Sequence, residues 1–222
     1  MKAYQIKIEF VDSKPKIWRR VVMPADATFN RLNDVIQTVT NFKSCYPHND
    51  YHLYEFNLPE ENIRVTNDEE AYQQYKQYKN NSEEMEKQIE NMPDKFVEFK
   101  NIAINNMKTE IKKPSYIKID KYLKKYDEIE YVYDFGDYWE IKISLEKEIN
   151  DYEKGYPTLI DGANNAPPED VGGIPGFYDF LEKYNDPDHP EHKFNKEWAD
   201  NQNYEEYNKE KINELLKYIK YK

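Results

Sequence analysis

The stretch from Tyr131 to Glu146, YVYDFGDYWEIKISLE, decides the fold. Every second residue in it is apolar (Tyr131, Tyr133, Phe135, then Trp139, Ile141, Ile143, Leu145), which is the period of a strand with one buried face. With Gly136 between the two arms, it reads as a central β-hairpin. Both apolar sets are odd-numbered, and residues that face each other on one side of the ladder must then sum to an even number. The connecting loop therefore holds an odd number of residues. A three-residue loop around Gly136 and Asp137, with glycine at φ > 0, suits this better than a two-residue primed turn.

Working outward, Tyr4, Ile6, Ile8 and Phe10 alternate with polar residues, and KIWRRVVM follows the turn Asp12-Ser13-Lys14-Pro15. These two runs predict a first hairpin. Trp18 beside Arg19 and Arg20 is expected to be a buried ring next to exposed charges. Thr28 precedes Phe29, Leu32, Val35, Ile36 and Val39, the spacing of a capped amphipathic helix. A loop is expected over 41–50, and HLYEF at 52–56 returns to strand character.

Asn67-Asp68-Glu69-Glu70 has the form of a capping box, and Tyr72, Tyr75, Tyr78, Met85, Ile89 and Met92 recur at helical intervals up to Pro93. The break Asn80-Asn81-Ser82 either joins two helices or lies within one, and 94–112 reads as less regular helix. We take 66–112 as a helical insertion. Pro114 then marks a boundary, Ile117 to Ile119 is extended, and Asp120 to Lys125 forms a helical turn. From Asp161 to Gly176 there are four glycines and three prolines, a structured or a mobile loop. Helices are predicted over 177–184, over 191–201 around Trp198, and over 204–221 with Ile212, Leu215, Leu216 and Ile219 on one stripe.

At 222 residues the chain can bury a real core. We read 1–205 as one α+β domain carrying the insertion, with a C-terminal helix over 204–222. A mean hydropathy of -1.08 leans towards disorder, but 21 Tyr, 10 Phe and 3 Trp supply ample apolar surface for collapse. The N-terminal alternation and the lack of a long apolar run predict neither a signal peptide nor a membrane span. Cys45 is the only cysteine, so neither an internal disulfide framework nor a cysteine-built zinc site is expected. A cytoplasmic location follows as the expectation. The net charge of -11 disfavours nucleic acid unless a local basic patch exists. Seven lysines between 108 and 125 form such a patch.

Several local signatures occur together: WRR at 18–20, HLYEF at 52–56, YDFGDYWE at 133–140, PPEDVGG at 167–173 followed by GFYDFLE, and HPEHKFNKEW at 189–198. In these the chain resembles the family named after the third open reading frame of plasmid pRiA4b. The similarity is collinear through nearly the whole chain, apart from the insertion and the last helix. The resemblance implies an α+β domain with a curled mixed sheet, and relatives on plasmids, insertion elements and chromosomes. It implies no established activity. The chain departs from the family where histidine is common and Ile141 stands, where cysteine is frequent and Ala166 stands, and where Leu-His is usual and Leu32-Asn33 stands. If those side chains formed a metal or nucleophile site in the family, this member lacks three candidates for it.

Asp134-Phe135-Gly136 copies the magnesium-binding tripeptide of protein kinases, but the chain has neither a glycine-rich phosphate loop before it nor an HRD motif, which excludes that reading. The more serious constellation is Asp134, Asp137, Glu169 and Asp170. A hairpin tip and a Gly/Pro loop are places where carboxylates can converge on a hard cation or act as an acid/base pair. They could equally satisfy turn amides and cap N–H groups near Gly172 and Gly173. His189 and His192 would project to one side of a helix that began at His189, though Pro190 points to a cap neighbour instead. No cofactor is predicted, and the carboxylates leave a divalent cation as an open possibility. The leading expectation is a non-catalytic binding or accessory module with a protein partner. A carboxylate-based metal-dependent hydrolase comes second. Third is a nucleic-acid accessory protein using Trp18, Arg19 and Arg20 with Lys112 and Lys113.

Overall fold

The computed structural model describes residues 1–42, 52–91, 93, 95 and 97–219. The elements run β1 (Ala3–Phe10), β2 (Trp18–Pro24), α1 (Phe29–Val39), β3 (Tyr54–Leu58), β4 (Ile63–Thr66), α2 (Glu69–Glu90), α3 (Val97–Lys108), β5 (Glu110–Lys112), β6 (Glu128–Tyr133), β7 (Trp139–Ile149), β8 (Thr158–Ala163), α4 (Gly173–Asn185), α5 (His192–Asn201) and α6 (Lys209–Leu216). The strands form one open sheet in the order β5-β4-β3-β6-β7-β1-β2-β8. Neighbours are antiparallel except β4 and β5. This is an α+β fold.

The two-residue period puts Tyr131, Tyr133, Trp139, Ile141 and Ile143 in the core, each no more than 1% exposed. Tyr4, Ile6, Ile8 and Phe10 of β1 continue the same face, because Phe10 pairs with Ile141 and Ile8 with Ile143. Helix α1 lies in this core through Phe29, Leu32, Val35, Ile36 and Val39. Its first turn is held by Thr28, whose side-chain oxygen accepts from the Arg31 N–H at 3.3 Å. The opposite face of the sheet carries charges, among them the pairs Lys142–Glu128 and Arg20–Glu146, as an antiparallel sheet with one solvated side does.

The parity argument holds and the loop length does not. Tyr133 pairs with Trp139, so the loop is Asp134 to Tyr138, odd in number but five residues long. The positive φ angles fall on Asp134 (54°) and Tyr138 (55°) instead of on Gly136. Asp134 accounts for the extra length: its Oδ1 accepts from the Gly136 N–H at 2.9 Å, and its carbonyl accepts from the Tyr138 N–H at 2.6 Å. This side-chain turn lifts Phe135 off the core face, to 40% exposure.

Trp18 and Arg19 exchange the places expected of them. Ile8 faces the core and pairs with Arg19, so the strand period sends Arg19 inward, where it is 2% exposed. Its Nε donates to the Val39 carbonyl at 2.8 Å, and its Nη1 donates to the carbonyls of Trp18 and Ala163 at 2.9 Å each. The guanidinium also stacks 4.3 Å from the centroid of the Tyr207 ring. Val39 ends α1, where the helix dipole favours a cation. Burial lowers the Arg19 pKa to about 10, against the pull of Tyr207, so the side chain stays charged at neutral pH. Trp18 is only half-buried on the outer face, with Arg20 5.0 Å and Lys7 5.8 Å over its ring.

Three strands were not expected: β4, β8 and β5, each short, and β8 ends in the glycine-rich stretch. Residues 110–112 are therefore not helical. They pair with β4 in parallel, so the inserted helices leave from a sheet strand and return to one. Helix α2 kinks at Asn81 (φ -131°), the break expected at 80–82. Its buried Tyr78 and Ile89 lie outside the continuous core that joins β1 to Leu216 of α6. Helix α4 starts at Gly173, four residues before the expected Phe177, since proline is tolerated in a first turn. Helix α6 starts at Lys209 because Asn208 caps it, its side chain accepting from the Lys211 N–H at 2.9 Å. Residues 204–208 are thus not helical. The expected loop from 43 onward, Met92 and Tyr221 lie outside the described residues. Among the described residues no helix is long and apolar enough to cross a membrane.

Candidate functional site

Three segments meet at one end of the sheet: the residue pair before β3, the β6–β7 tip, and the loop between β8 and α4. His52 is brought there because Tyr54 pairs with Tyr133, which carries the chain ahead of β3 past the hairpin tip. Asn67 fixes the entry, donating from Nδ2 to the His52 carbonyl at 3.3 Å and accepting at Oδ1 from the Tyr54 N–H at 2.8 Å. The imidazole stands edge-on to Tyr133, with ring centroids 5.7 Å apart.

Around this imidazole lie three of the four carboxylates singled out in the sequence. Nδ1 is 3.4 Å from Asp134 Oδ1, and Nε2 is 3.5 Å from Asp170 Oδ1 and 3.8 Å from Glu169 Oε2. One donor atom each from His52, Asp134 and Asp170 fall within 4.8 Å of one another. Asp134 and Asp170 both sit at positive φ, 54° and 55°, a conformation that aspartate tolerates better than most residues. Glu169 is 7% exposed and accepts from the Tyr133 hydroxyl at 2.8 Å.

Asp137, the fourth carboxylate, points elsewhere. Its Oδ2 accepts from the Gly172 N–H at 2.9 Å, so it clamps the Gly/Pro loop to the hairpin. Gly172 takes φ 89° and Gly173 φ 67°, and a Cβ on Gly173 would stand 2.8 Å from the Asp137 carbonyl oxygen. Gly176 is tighter still, since a Cβ there would stand 2.0 Å from the Val171 carbonyl oxygen. The loop's glycines serve close backbone approach.

Behind the cluster a polar layer runs between helix α1 and the sheet. The Tyr131 hydroxyl donates to Asn33 Oδ1 at 2.7 Å and accepts from Gln37 Nε2 at 3.2 Å. Complete burial raises the Tyr131 pKa well above that of an ordinary phenol. The ring stacks on Tyr133 at 6.4 Å with 6° between the planes, so the carboxylate cluster rests on rigid groups.

The signatures that meet at this end of the sheet, HLYEF, YDFGDYWE and PPEDVGG, are three of the five that carry the family resemblance. The family model described as "Plasmid pRiA4b ORF-3-like protein" matches residues 2–214. The chain belongs to this family. One relative of this pRiA4b ORF-3-like chain is the uncharacterized protein y4hQ of Sinorhizobium fredii (strain NBRC 101917 / NGR234), 24% identical over 201 residues, which are 90% of this chain and 82% of that protein. A solved structure with a similar fold is the protein of unknown function MM3350 from Methanosarcina mazei Go1, with a TM-score of 0.62, 25% identity and 89% of each chain covered.

The remaining sequence candidates of this pRiA4b ORF-3-like chain are not brought to the cluster. Helix α5 begins at His192, so His189 precedes the helix and the two imidazoles do not share a helical face. His189 Nδ1 accepts from the Glu191 N–H at 3.0 Å, and His192 Nδ1 lies 3.1 Å from the Lys183 carbonyl. Arg19 is buried, and Arg20 is held by Glu146 at 2.6 and 2.8 Å. Lys112 and Lys113 lie at or just beyond β5, six strand spacings from β2 in the sheet order, about 29 Å at ~4.8 Å each. The two basic groups form no common face. His52 is a functional candidate that the sequence alone does not single out, since HLYEF reports only a strand and a family signature.

Proposed function

We propose that this protein is a divalent-cation-binding module whose ion is held at the hairpin tip by His52, Asp170 and Glu169. The observation that supports this most is the two-sided placement of the His52 ring. Nδ1 faces Asp134, which is itself fixed in a turn, and Nε2 faces Asp170 and Glu169. A carboxylate on one ring nitrogen fixes the tautomer and leaves the other nitrogen's lone pair for a metal. Asp134 then orients the ring. The donor set is one imidazole with oxygen ligands and no thiolate, which suits zinc, manganese or iron(II) more than a soft ion. Two donors on ~2.1 Å bonds stand roughly 3.0–3.4 Å apart, so Asp170 at 3.5 Å from Nε2 is nearly in place, while Glu169 at 3.8 Å, held by the Tyr133 hydroxyl, has the longer way to close.

A second reading is a carboxylate-based metal-dependent hydrolase. Three protein ligands leave positions for water and substrate, as catalytic metal sites do, and Asp134 would remain the orienting group. Calorimetric titration with zinc and with manganese tests the first reading. Saturable one-to-one binding is expected, lost in His52→Ala and Asp170→Asn and weakened about 10- to 100-fold in Asp134→Asn. Equal heats from the wild type and all three variants would reject the site. Metal-dependent cleavage of a general ester substrate that is lost in the same variants would move the reading from module to hydrolase.

A further inference from the structure

Far from the hairpin tip, helix α2 and strand β5 enclose a groove of about 540 Å³, within the ~300–1,000 Å³ usual for small-ligand sites. Three tyrosines line it, Tyr72, Tyr75 and Tyr116, together with Lys76, Lys112 and Lys113. Tyr116 is 86% exposed, a large ring left in solvent beside a basic groove. Lys76 lies 4.8 Å and Lys113 4.6 Å from the Tyr72 centroid, so cations and ring faces already alternate. On a chain of net charge -11, four lysines against the single carboxylate of Glu110 in the lining make a local inversion of sign. It selects for an anion.

The lysines are available. Among the described residues Lys76 is in no ion pair, while Lys112 is 3.3 Å from Glu110 and Lys113 is 2.6 Å from Glu69 at the surface. Surface pairs of this kind hold by only ~0–1 kcal/mol, so a phosphate can displace the carboxylate. Flat aromatic faces interleaved with lysines suit a ligand that alternates stacking bases with phosphates. An acidic peptide would use the lysines and leave the rings idle.

We infer that the groove between α2 and β5 binds single-stranded nucleic acid, with a base stacked on Tyr116 and phosphates on Lys76, Lys112 and Lys113. Of the residues that the sequence offered for nucleic acid, the site uses Lys112 and Lys113, while Trp18, Arg19 and Arg20 lie elsewhere. The test is fluorescence anisotropy of a labelled oligothymidylate with the full chain. Saturable binding at low salt is expected, with a slope of log K against log salt of about -2 for three phosphates contacted. Tyr116→Ala, an exposed truncation, should weaken binding at least about five-fold, and Lys76→Glu with Lys112→Glu at least about ten-fold. The inference is overturned by absence of saturable binding at low salt, by binding that Tyr116→Ala leaves unchanged, or by displacement with oligoglutamate as effective as with unlabelled oligonucleotide. None of these outcomes touches the cation site, which uses different residues.

Discussion

Asp137 Oδ2 and the Gly172 N–H, 2.9 Å apart, join the tip of the central hairpin to the loop that carries Glu169 and Asp170. This bond sets where Asp170 stands relative to His52. Asp137→Ala should therefore weaken cation binding about ten-fold while costing the fold only ~1 kcal/mol, the net worth of one hydrogen bond. Calorimetry and urea titration separate the two effects. Unchanged affinity would mean that the loop is placed by its glycines and prolines alone.

Arg19 is a structural cation, which predicts a contrast with its neighbour. Arg19→Met leaves three carbonyls without their donor, at ~1 kcal/mol or more each, and should cost about 3 kcal/mol in urea titration. Arg20→Met removes a surface pair worth ~1 kcal/mol at most. Equal costs would show that desolvating the Arg19 charge cancels what its hydrogen bonds return.

Trp139 is 1% exposed and packs against Phe10 and Phe42 at centroid distances of 6.1 and 5.8 Å. Trp139→Ala should cost about 3–5 kcal/mol, as large core truncations do. A loss below ~1 kcal/mol would take the ring out of the core.

Two buried phenols predict the behaviour at alkaline pH. Burial raises the Tyr204 pKa to about 12, against Asn165, and raises that of Tyr131 well above the ordinary value. An unfolded tyrosine ionises near ~10, so the fold holds the neutral form. The stability this contributes is complete below about pH 10 and is lost as pH rises from there through the folded pKa. The urea midpoint should fall between about pH 10 and 12, with tyrosinate absorbance from these rings developing on unfolding. A flat midpoint over that window would contradict the burial.

The parallel pairing of β4 with β5 redraws the removable unit. Ile63 pairs with Glu110 and Val65 with Lys112, so the end of β4 and the start of β5 are about 11 Å apart at ~3.3 Å per residue and ~4.8 Å between strands. A glycine-serine linker of about six residues spans that distance. Replacing residues 67–109 by such a linker should leave a soluble chain with a cooperative transition and its near-ultraviolet aromatic signal. Loss of that signal would show that α2 and α3 hold the main core together.

How far the sequence could be read depends on what each segment's period reports. The alternation from Tyr131 to Leu145, Phe135 at the tip excepted, and from Tyr4 to Phe10 names the buried face directly, and Thr28 marks its helix with a side-chain oxygen. Trp18 and Arg19 misled because hydropathy ranks Trp above Arg as a core residue, whereas the facing of Ile8 on the paired strand puts Arg19 inside. The strands at 63–66 and 110–112 are too short for a period to stand out, and 158–163, TLIDGA, runs into the glycine-rich stretch without alternating; all three owe their existence to the strands beside them. The carboxylates at 134, 169 and 170 were legible as a group because turn and Gly/Pro segments concentrate at sheet ends. His52 was not, because nothing local reveals that the residues before β3 pass the hairpin tip.

The cation site can be located directly by anomalous diffraction from crystals grown with manganese, recorded with the metal's scattering enhanced. The account predicts a single strong peak bonded to His52 Nε2, Asp170 and Glu169, with His52 Nδ1 still turned to Asp134. A well-ordered crystal showing no anomalous peak at the hairpin tip, or a peak bonded to Asp137 and not to His52, would contradict it.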